Sequence, residues 1–236
     1  MKFIEFFDRI YVINLPYRVD RRQAMEKELE KAGMPFTPGK VEIFSAIRPD
    51  TAAPFEKIGY KGAFLSHLSV LKLAKEYNLN NVLIMEDDLA FSEYFQQYED
   101  VLIEQLHKSN WDIVHFGYFS EQVFNQNKNS FGKLQSLSTG IIGAHFYGVN
   151  NKIFDRVINF FELSLKMPLG HPDCGPISPD GVYNLFQSKH PDVVRLITIP
   201  SFGGQRSSRS DITPQWFDQL PLLKQFASLT RTLLKN

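Results

Sequence analysis

The sequence of 236 residues has a single cysteine, Cys174, no excess of either charge, and no long apolar run. One cysteine excludes an internal disulfide and cannot by itself build a thiolate zinc site. Lys plus Arg and Asp plus Glu both total 26, which argues against a general nucleic-acid-binding protein. No stretch reaches the roughly 18 apolar residues of a membrane-spanning helix. With 43% hydrophobic and 22% charged residues, the sequence predicts an ordinary globular protein.

The first residues also lack the features of a secretory signal. Glu5 and Asp8 interrupt the apolar run near the N-terminus, and the sequence is therefore a poor signal peptide. We expect a cytoplasmic protein, with the inner face of the cytoplasmic membrane as the alternative location.

Strand and helix patterns alternate through the first half of the chain. Short apolar, β-prone runs predict strands, and apolar residues at helical spacing predict helices. The predicted strands are 10–15, 41–46, 82–85 and 111–116, and the predicted helices are 20–32, 61–77 and 95–106. This alternation predicts an α/β fold with a mostly parallel central sheet that binds its ligand beyond the carboxyl ends of the strands.

The second half is less regular. We predict loops at 119–133, 167–179 and 201–211, a helix at 153–165, a short helix from Pro179 with Ser178 as its cap, and a strand at 193–199. Neither a repeat nor a linker is evident, which favours one catalytic domain, 1–216, followed by a C-terminal segment, 217–236.

Three adjacent carboxylates, Glu86-Asp87-Asp88, follow the apolar run at 82–85. Side chains at i and i+2 share a face in extended chain, so Glu86 and Asp88 could converge while Asp87 points elsewhere. A hard divalent cation, Mn²⁺ or Mg²⁺, would offset their repulsion. The alternative is a solvated acidic turn that caps the next helix.

A basic turn follows the first strand, where a doubly wound sheet places its ligand crevice. In the segment Asn14 to Arg22, Arg18 and Arg22 suit phosphate groups, although a solvated helical turn is the alternative. A third segment, Gly59 to His67, opens a helix with two glycines, which let a backbone approach a ligand closely. The alternative interpretation of that segment is purely structural: a helix start with a histidine buried in the core.

Taken together and in order, these segments resemble glycosyltransferase family 25, the lipopolysaccharide-type β-galactosyltransferases and collagen galactosyltransferases. The matching segments are Ile13-Asn14-Leu15 with the basic turn, Gly59 to His67 with Ala63 where Cys is usual, Glu86-Asp87-Asp88, Thr139-Gly140 to Tyr147, Ser178-Pro179-Asp180, Gly204-Gln205-Arg206 and Ser210-Asp211. The segment between Lys108 and Thr139 matches nothing in the family pattern.

The resemblance implies a Rossmann-like fold of the GT-A type, a UDP-sugar donor, inversion at the anomeric carbon and an acceptor that is a glycan or a lipopolysaccharide-type saccharide. Galactose is the expected sugar. We predict nucleotide-sugar contacts from Asn14, Arg18, Arg22, Gly62, Ser66, His67, Glu86, Asp87, Gln205, Arg206 and Ser207, the last three from a loop that closes over the diphosphate.

Inversion requires one general base for the acceptor hydroxyl. Asp180 is the first candidate, Asp211 the second and His115 the third. Asp88 is the predicted metal ligand, with Glu86 or Asp87 reaching the metal or the ribose.

Two other interpretations stay open at this point. A metal-dependent nucleotidyltransferase or phosphohydrolase would share the acidic site and the basic turn. A catalytically dead transferase fold that binds a nucleotide or sugar as a scaffold would have no need of three repelling carboxylates.

The C-terminal segment carries an apolar stripe at helical spacing: Leu222, Leu223, Phe226, Leu229, Leu233 and Leu234. From Asp218 onward three basic side chains oppose one acidic side chain, so the net charge is 3 − 1 = +2. Such a helix suits an anionic membrane surface, and docking on the protein body or on a second subunit is the alternative.

Overall fold

The computed structural model describes residues 1–119, 131–137 and 140–206. These residues form six α-helices and nine β-strands. The helices are α1 (Phe3–Phe6), α2 (Val19–Lys31), α3 (Ile58–Glu76), α4 (Tyr94–Lys108), α5 (Phe154–Lys166) and α6 (Pro179–Lys189). The strands are β1 (Arg9–Asn14), β2 (Val41–Ser45), β3 (Asn81–Glu86), β4 (Leu89–Phe91), β5 (Ile113–Gly117), β6 (Lys133–Ser136), β7 (Phe146–Asn150), β8 (Arg195–Ile199) and β9 (Gly203–Gln205).

All nine strands belong to one sheet with the main order β2-β1-β3-β7-β5-β8-β6. Five strands of this path, β1, β2, β3, β5 and β8, run in one direction, and β7 and β6 run against them. The short strands β4 and β9 pair with each other, and β9 also pairs with β5. The predicted mostly parallel sheet is therefore confirmed, with β7 inserted antiparallel between its two halves.

Apolar cores lie on both faces of the sheet. Alternate residues of β1 and β3 enter opposite cores: Tyr11, Ile13, Val82 and Ile84 face one, and Ile10, Val12, Leu83 and Met85 face the other. Helices α3, α5 and α6 cover the first face, and α1, α2 and α4 cover the second. Because both faces are covered, the strands read as continuous apolar runs in the sequence.

The helices and strands predicted from periodicity are present, with ends that differ by a few residues. One helix and four strands were not predicted. The short elements α1 and β4 had no counterpart in the prediction, and neither did β7. Strand β9 lies in the predicted loop at 201–211, and β6 begins at Lys133, the last residue of the predicted loop at 119–133. Ser178 occupies the N-cap position of α6, but its side chain makes no capping hydrogen bond, so that part of the prediction is wrong.

The sheet brings the ends of β1 and β3 together, because these strands are parallel neighbours with Ile13 opposite Glu86. The start of α3 and the start of α6 lie near the same edge. Among the helices of the described ranges, none has the length and apolarity needed to cross a membrane. The proposed boundary at 216/217 lies outside the described residues.

Candidate functional site

A cavity of about 460 Å³ opens at this edge of the sheet. Its walls come from the β1–α2 and β2–α3 connections, the start of α3, the β3–β4 turn, segment 142–144 and the start of α6. Its size suits a small-molecule ligand. Of the residues predicted for the site, it is lined by Gly62, Ser66, His67, Glu86, Asp87, Asp88, Asp180 and Gln205.

The two aspartates of the acidic segment share one arginine. Strand β3 ends at Glu86, and Asp87 and Asp88 form a turn before β4. Arg21 places its Nη1 atom 2.8 Å from Asp87 Oδ1 and 3.0 Å from Asp88 Oδ2. Because the chain turns after Glu86, the alternation expected for an extended strand does not hold, and Asp88 shares the partner of Asp87.

The surroundings of Asp88 disfavour the charged form of its carboxyl group. Burial, followed by the negative charge of Glu86, raises the pKa of Asp88 to about 7. Its Oδ1 atom is buried and makes no hydrogen bond among the described residues. A carboxylate oxygen left in this state favours a cationic or proton-donating ligand in the cavity.

Both oxygens of Glu86 are held by neighbours. Gln205 donates from Nε2 to Oε2 at 2.9 Å, and His67 Nε2 lies 3.3 Å from Oε1. Burial alone would raise the pKa of Glu86, but the hydrogen bond with His67 and nearby positive charges outweigh burial and lower it. Glu86 is therefore a fixed anion in the cavity wall.

A buried chain of side chains continues behind His67. The Tyr147 hydroxyl lies 2.7 Å from His67 Nδ1, and the Tyr183 hydroxyl donates to Tyr147 at 3.1 Å. If Tyr147 donates to Nδ1, His67 carries its proton on Nε2 and donates it to Glu86. The chain thus links α6 and β7 to the cavity wall.

Asp180 lies in the first turn of α6. Its Oδ2 atom accepts a hydrogen bond from the Gly143 backbone N–H at 3.3 Å. Since Asp180 lines the same cavity as Asp88, the structure places the predicted base and the predicted metal ligand around one space. The role of each side chain stays a prediction.

The basic turn contributes Leu15, Tyr17 and Arg21 to the cavity lining, but not the three residues predicted to hold the nucleotide. Asn14 is 2% exposed and donates from Nδ2 to Asp87 Oδ2 at 2.7 Å. Arg18 makes a two-pronged contact with Asp20, and this lowers the pKa of Asp20 to about 2. Arg22 is exposed. The predicted nucleotide contacts of Asn14, Arg18 and Arg22 therefore lack a place among the lining residues of the cavity.

The glycine and serine of α3 pack against the loop after β2. A Cβ at Gly62 would stand 2.7 Å from the Ile47 carbonyl oxygen, so a glycine permits this close approach. The Ser66 hydroxyl accepts from the Ile47 N–H at 2.8 Å and donates to the Gly62 carbonyl at 2.7 Å. Both residues have structural partners in addition to a place in the cavity wall.

The segment after β9 is only partly described. Arg206 donates to the carbonyl oxygens of Ala24 at 3.2 Å and Asp87 at 2.7 Å, so it braces the acidic turn from behind. Ser207 and the second base candidate, Asp211, lie outside the described residues. His115, the third candidate, is fully buried away from the cavity lining, and burial lowers its pKa well below the usual value.

The sequence interpretation missed Arg21 and four exposed apolar side chains of the cavity lining. Arg21 follows Arg18 by three residues and precedes Arg22, so helical spacing could have singled it out. Four exposed apolar side chains stand on the cavity lining: Tyr17, Ile58, Phe119 and Ile142. Arg48 stacks over the Tyr17 ring at 5.1 Å. No sequence signal placed these four side chains together.

Comparison with known proteins assigns the chain to a family. The family model described as "Glycosyltransferase family 25 (LPS biosynthesis protein)" matches residues 7–167, which is more than half of the chain. This stretch includes β1, the basic turn, α3 and the acidic turn.

Curated relatives match about half of the chain. Procollagen galactosyltransferase 1-A of Xenopus laevis is 31% identical over 135 residues, which are 50% of this chain and 22% of that protein. A glycosyltransferase 25 family member of Drosophila melanogaster is 31% identical over 127 residues, covering 47% of this chain and 21% of that protein. The chain thus spans about a fifth of the length of these relatives.

The fold has a counterpart among solved structures. A glycosyltransferase involved in the glycosylation of the major capsid of PBCV-1 superposes with a TM-score of 0.51 and 11% sequence identity, covering 81% of each chain. At that identity the likeness concerns the fold alone, and it agrees with the predicted Rossmann-like GT-A class.

Proposed function

The chain belongs to glycosyltransferase family 25, and from this premise we propose that it transfers a sugar from a UDP-sugar to a hydroxyl of a glycan or lipopolysaccharide-type acceptor. Galactose is the sugar that we propose first, because the relatives include a procollagen galactosyltransferase. The observation that carries the proposal is the single cavity lined by Asp88, Glu86 and Asp180.

The diphosphate of the donor is proposed to lie against the β3–β4 turn. Parallel sheets bind ligands beyond the carboxyl ends of their strands, where this turn lies. Arg21 neutralises part of the charge of Asp87 and Asp88 and holds both carboxylates in place. Glu86, fixed by His67 and Gln205, offers an acceptor for a donor hydroxyl.

The residues at the turn suit a divalent cation that is bound partly by protein carboxylates and partly by substrate phosphates. The described residues contain no group of three or more His, Cys, Asp or Glu placed to hold a metal ion. Mg²⁺ and related ions, however, are often bound through one or two carboxylates and completed by substrate phosphates and water. The buried Asp88 Oδ1, which has no hydrogen-bond partner among the described residues, supports Asp88 as that carboxylate. Both oxygens of Glu86 already have partners, so Glu86 is the weaker candidate.

A cation bound at Asp88 would offset the charge that develops on the departing nucleoside diphosphate. The protein's own groups supply the remaining requirements. Asp88 would hold the cation on the leaving-group side, Arg21 keeps Asp88 oriented, and Glu86 orients the donor.

The acceptor is proposed to bind at the α6 side of the cavity. Phe119 and Ile142 are exposed residues of the cavity lining, and the Phe119 N–H donates to the Ile142 carbonyl at 3.0 Å, so the two residues are neighbours. The C–H faces of a sugar ring can pack on exposed apolar side chains of this kind. Asp180 lines the same region and would take the proton of the attacking hydroxyl.

In the proposed single displacement, the acceptor oxygen forms a bond to the anomeric carbon as the bond to the UDP oxygen breaks. The proton of the acceptor hydroxyl passes to Asp180, and attack from the face opposite the leaving group inverts the anomeric configuration. Water in place of the acceptor would give slow hydrolysis of the donor.

The test is a panel of UDP-sugars incubated with the full chain and Mn²⁺. We expect UDP release from UDP-galactose above that from UDP-glucose or UDP-N-acetylglucosamine, with little release when the metal is chelated. Metal-independent release would contradict the proposed role of the cation. Cleavage of the donor to UMP and a sugar 1-phosphate would favour a phosphohydrolase, and formation of UTP from the UDP-sugar and added pyrophosphate would favour a nucleotidyltransferase. Tight donor binding without turnover would favour a catalytically dead scaffold.

The C-terminal segment, 217–236, is proposed to bind anionic membrane surfaces through its apolar stripe and basic side chains. That segment lies outside the described residues, and the proposal rests on the sequence. Co-sedimentation with anionic vesicles should be stronger for the full chain than for a chain ending at Gln219. Equal sedimentation, or binding that ignores salt and lipid charge, would contradict it.

A further inference from the structure

A second cavity of about 500 Å³ lies beside the later turns of α6, away from the acidic turn. Its lining includes Asn184 and Gln187 of α6, Arg195 of β8, and Ser136 and Leu137 at the end of β6. None of its lining residues also lines the first cavity.

Two lining residues each have a buried polar atom without a hydrogen-bond partner in the part of the chain that the structure describes. Arg195 is 2% exposed and donates from Nε to His115 and from Nη1 to Asn184, both at 2.9 Å. Its Nη2 atom is buried and makes no hydrogen bond among the described residues. Gln187 donates from Nε2 to the Val193 carbonyl at 3.1 Å, while its Oε1 is buried and has no partner among these residues. Buried polar groups in proteins are nearly always hydrogen-bonded, so one donor and one acceptor in the wall of this cavity remain to be satisfied.

Most polar groups of the lining are neutral. The single carboxylate among the described lining residues, Asp192, is already paired with Arg156 at 2.6 Å, and Arg195, whose pKa burial lowers to about 10, keeps its positive charge at neutral pH. The other polar groups of the lining are hydroxyls and amides. A hydroxyl group both donates and accepts hydrogen bonds. It can therefore donate to Gln187 Oε1 or accept from Arg195 Nη2.

We propose that this second cavity is a binding site for a neutral saccharide, in which sugar hydroxyls bond to Gln187 and Arg195. Its volume suits one or two sugar rings, and Leu137, Pro191 and Val193 offer apolar surface for their C–H faces. The inference does not rest on the transfer reaction proposed above, because a different set of residues forms the site.

The two cavities share a wall. Asn184 holds that wall with two hydrogen bonds to Ile141, one to the carbonyl at 2.9 Å and one from the N–H at 3.1 Å. Two residues further on, Gly143 donates to Asp180 in the first cavity. A saccharide beside Asn184 would thus lie behind the segment that contacts the predicted base.

The experiment is calorimetric titration of lactose, a neutral disaccharide, into the full chain with UDP and Mn²⁺ present to fill the donor side of the first cavity. We expect binding to wild type, loss of binding in Ser136→Trp, which fills the second cavity from an exposed position, and retention in Ser109→Trp, an exposed serine elsewhere. Gln187→Leu should weaken binding roughly tenfold through loss of one buried hydrogen-bond acceptor. Circular dichroism checks that each variant is folded.

Two results would overturn the proposal. Absence of binding at about 10 mM lactose, roughly ten times a Kd of 1 mM, would mean that water alone fills the cavity. Binding that survives Ser136→Trp but is lost in Asp180→Asn would place the sugar in the first cavity. Because the variants of the second cavity leave the acidic turn intact, failure of lactose binding and failure of UDP-sugar turnover are separate outcomes.

Discussion

At the residue level, the three carboxylates after β3 differ in what surrounds them. Glu86 has a partner on each oxygen, and Asp87 receives hydrogen bonds from Asn14 and Arg21. Asp88 has only Arg21 on one oxygen and a buried, unpartnered second oxygen within the part of the chain that is described. These surroundings assign different roles to three residues that look equivalent in the sequence.

For Asp88 we predict that Asp88→Asn lowers UDP-sugar turnover by about 10²-fold or more and weakens metal-dependent donor binding, because an amide is a poor ligand for a hard cation. Steady-state kinetics over a Mn²⁺ titration measures both effects. Asp100→Asn, at an exposed position in α4 outside the cavity lining, is the matched control. Near-normal turnover of the Asp88 variant with Mn²⁺ would remove Asp88 from the metal site.

For Asp180 we predict that Asp180→Asn lowers kcat by roughly 10²-fold, the scale of general-base catalysis. Donor affinity should barely change, since the base meets the acceptor. Transfer kinetics combined with a UDP-sugar binding assay separates the two quantities. A parallel loss of donor affinity would show that Asp180 positions the segment around Gly143 and does not act as the general base.

For Tyr147 we predict that Tyr147→Phe lowers both the free energy of unfolding, by about 1–3 kcal/mol, and the turnover. The loss of the hydroxyl leaves His67 Nδ1 and the Tyr183 hydroxyl without this partner, so that the His67 ring is no longer fixed against Glu86. Urea denaturation and kinetics are the measurements.

The control for Tyr147 is Tyr118→Phe, which removes a hydroxyl bonded to the Thr198 carbonyl at 2.6 Å outside the cavity. The Tyr118→Phe variant should lose a similar amount of free energy of unfolding to Tyr147→Phe and keep its turnover. If both variants retain turnover equally, the Tyr147 chain serves stability alone.

At the level of elements, α3 is set close to the loop after β2. We predict that Gly62→Ala lowers the free energy of unfolding by about 1–3 kcal/mol, because the added Cβ would stand 2.7 Å from a backbone oxygen that cannot move alone. Gly204→Ala is the control, since a Cβ there meets nothing within 4 Å. Denaturant midpoints that fall equally in both variants would contradict the packing argument.

Strands that join distant parts of the chain were hardest to foresee. β7 pairs with β3 and β5, and β9 is only three residues long and pairs with β4 and β5. Their sequences contain glycines and polar residues, which weaken any local strand signal. Pairing with strands elsewhere in the sheet supplies what the local sequence lacks.

At the level of the whole molecule, donor binding should stabilise the fold by mass action. We predict that UDP with Mn²⁺ at about 100 times Kd raises the free energy of unfolding by about 2.7 kcal/mol, seen as a higher Tm. In Asp88→Asn, the additional increase in the free energy of unfolding that Mn²⁺ gives in the presence of UDP should vanish. An equal Mn²⁺ increment in the variant would place the cation elsewhere.

The sequence by itself determined the strand–helix alternation, the acidic turn at a strand end, and the family, because these signals are local or lie in the order of motifs along the chain. The tertiary structure alone decided that Arg21 rather than Arg22 faces Asp87 and Asp88, since one residue of helical rotation separates a half-buried position from an exposed one. It also decided that His67 meets Glu86 and that Arg195 meets His115, because burial and hydrogen bonding between residues 19 and 80 positions apart depend on how the sheet brings its strands together.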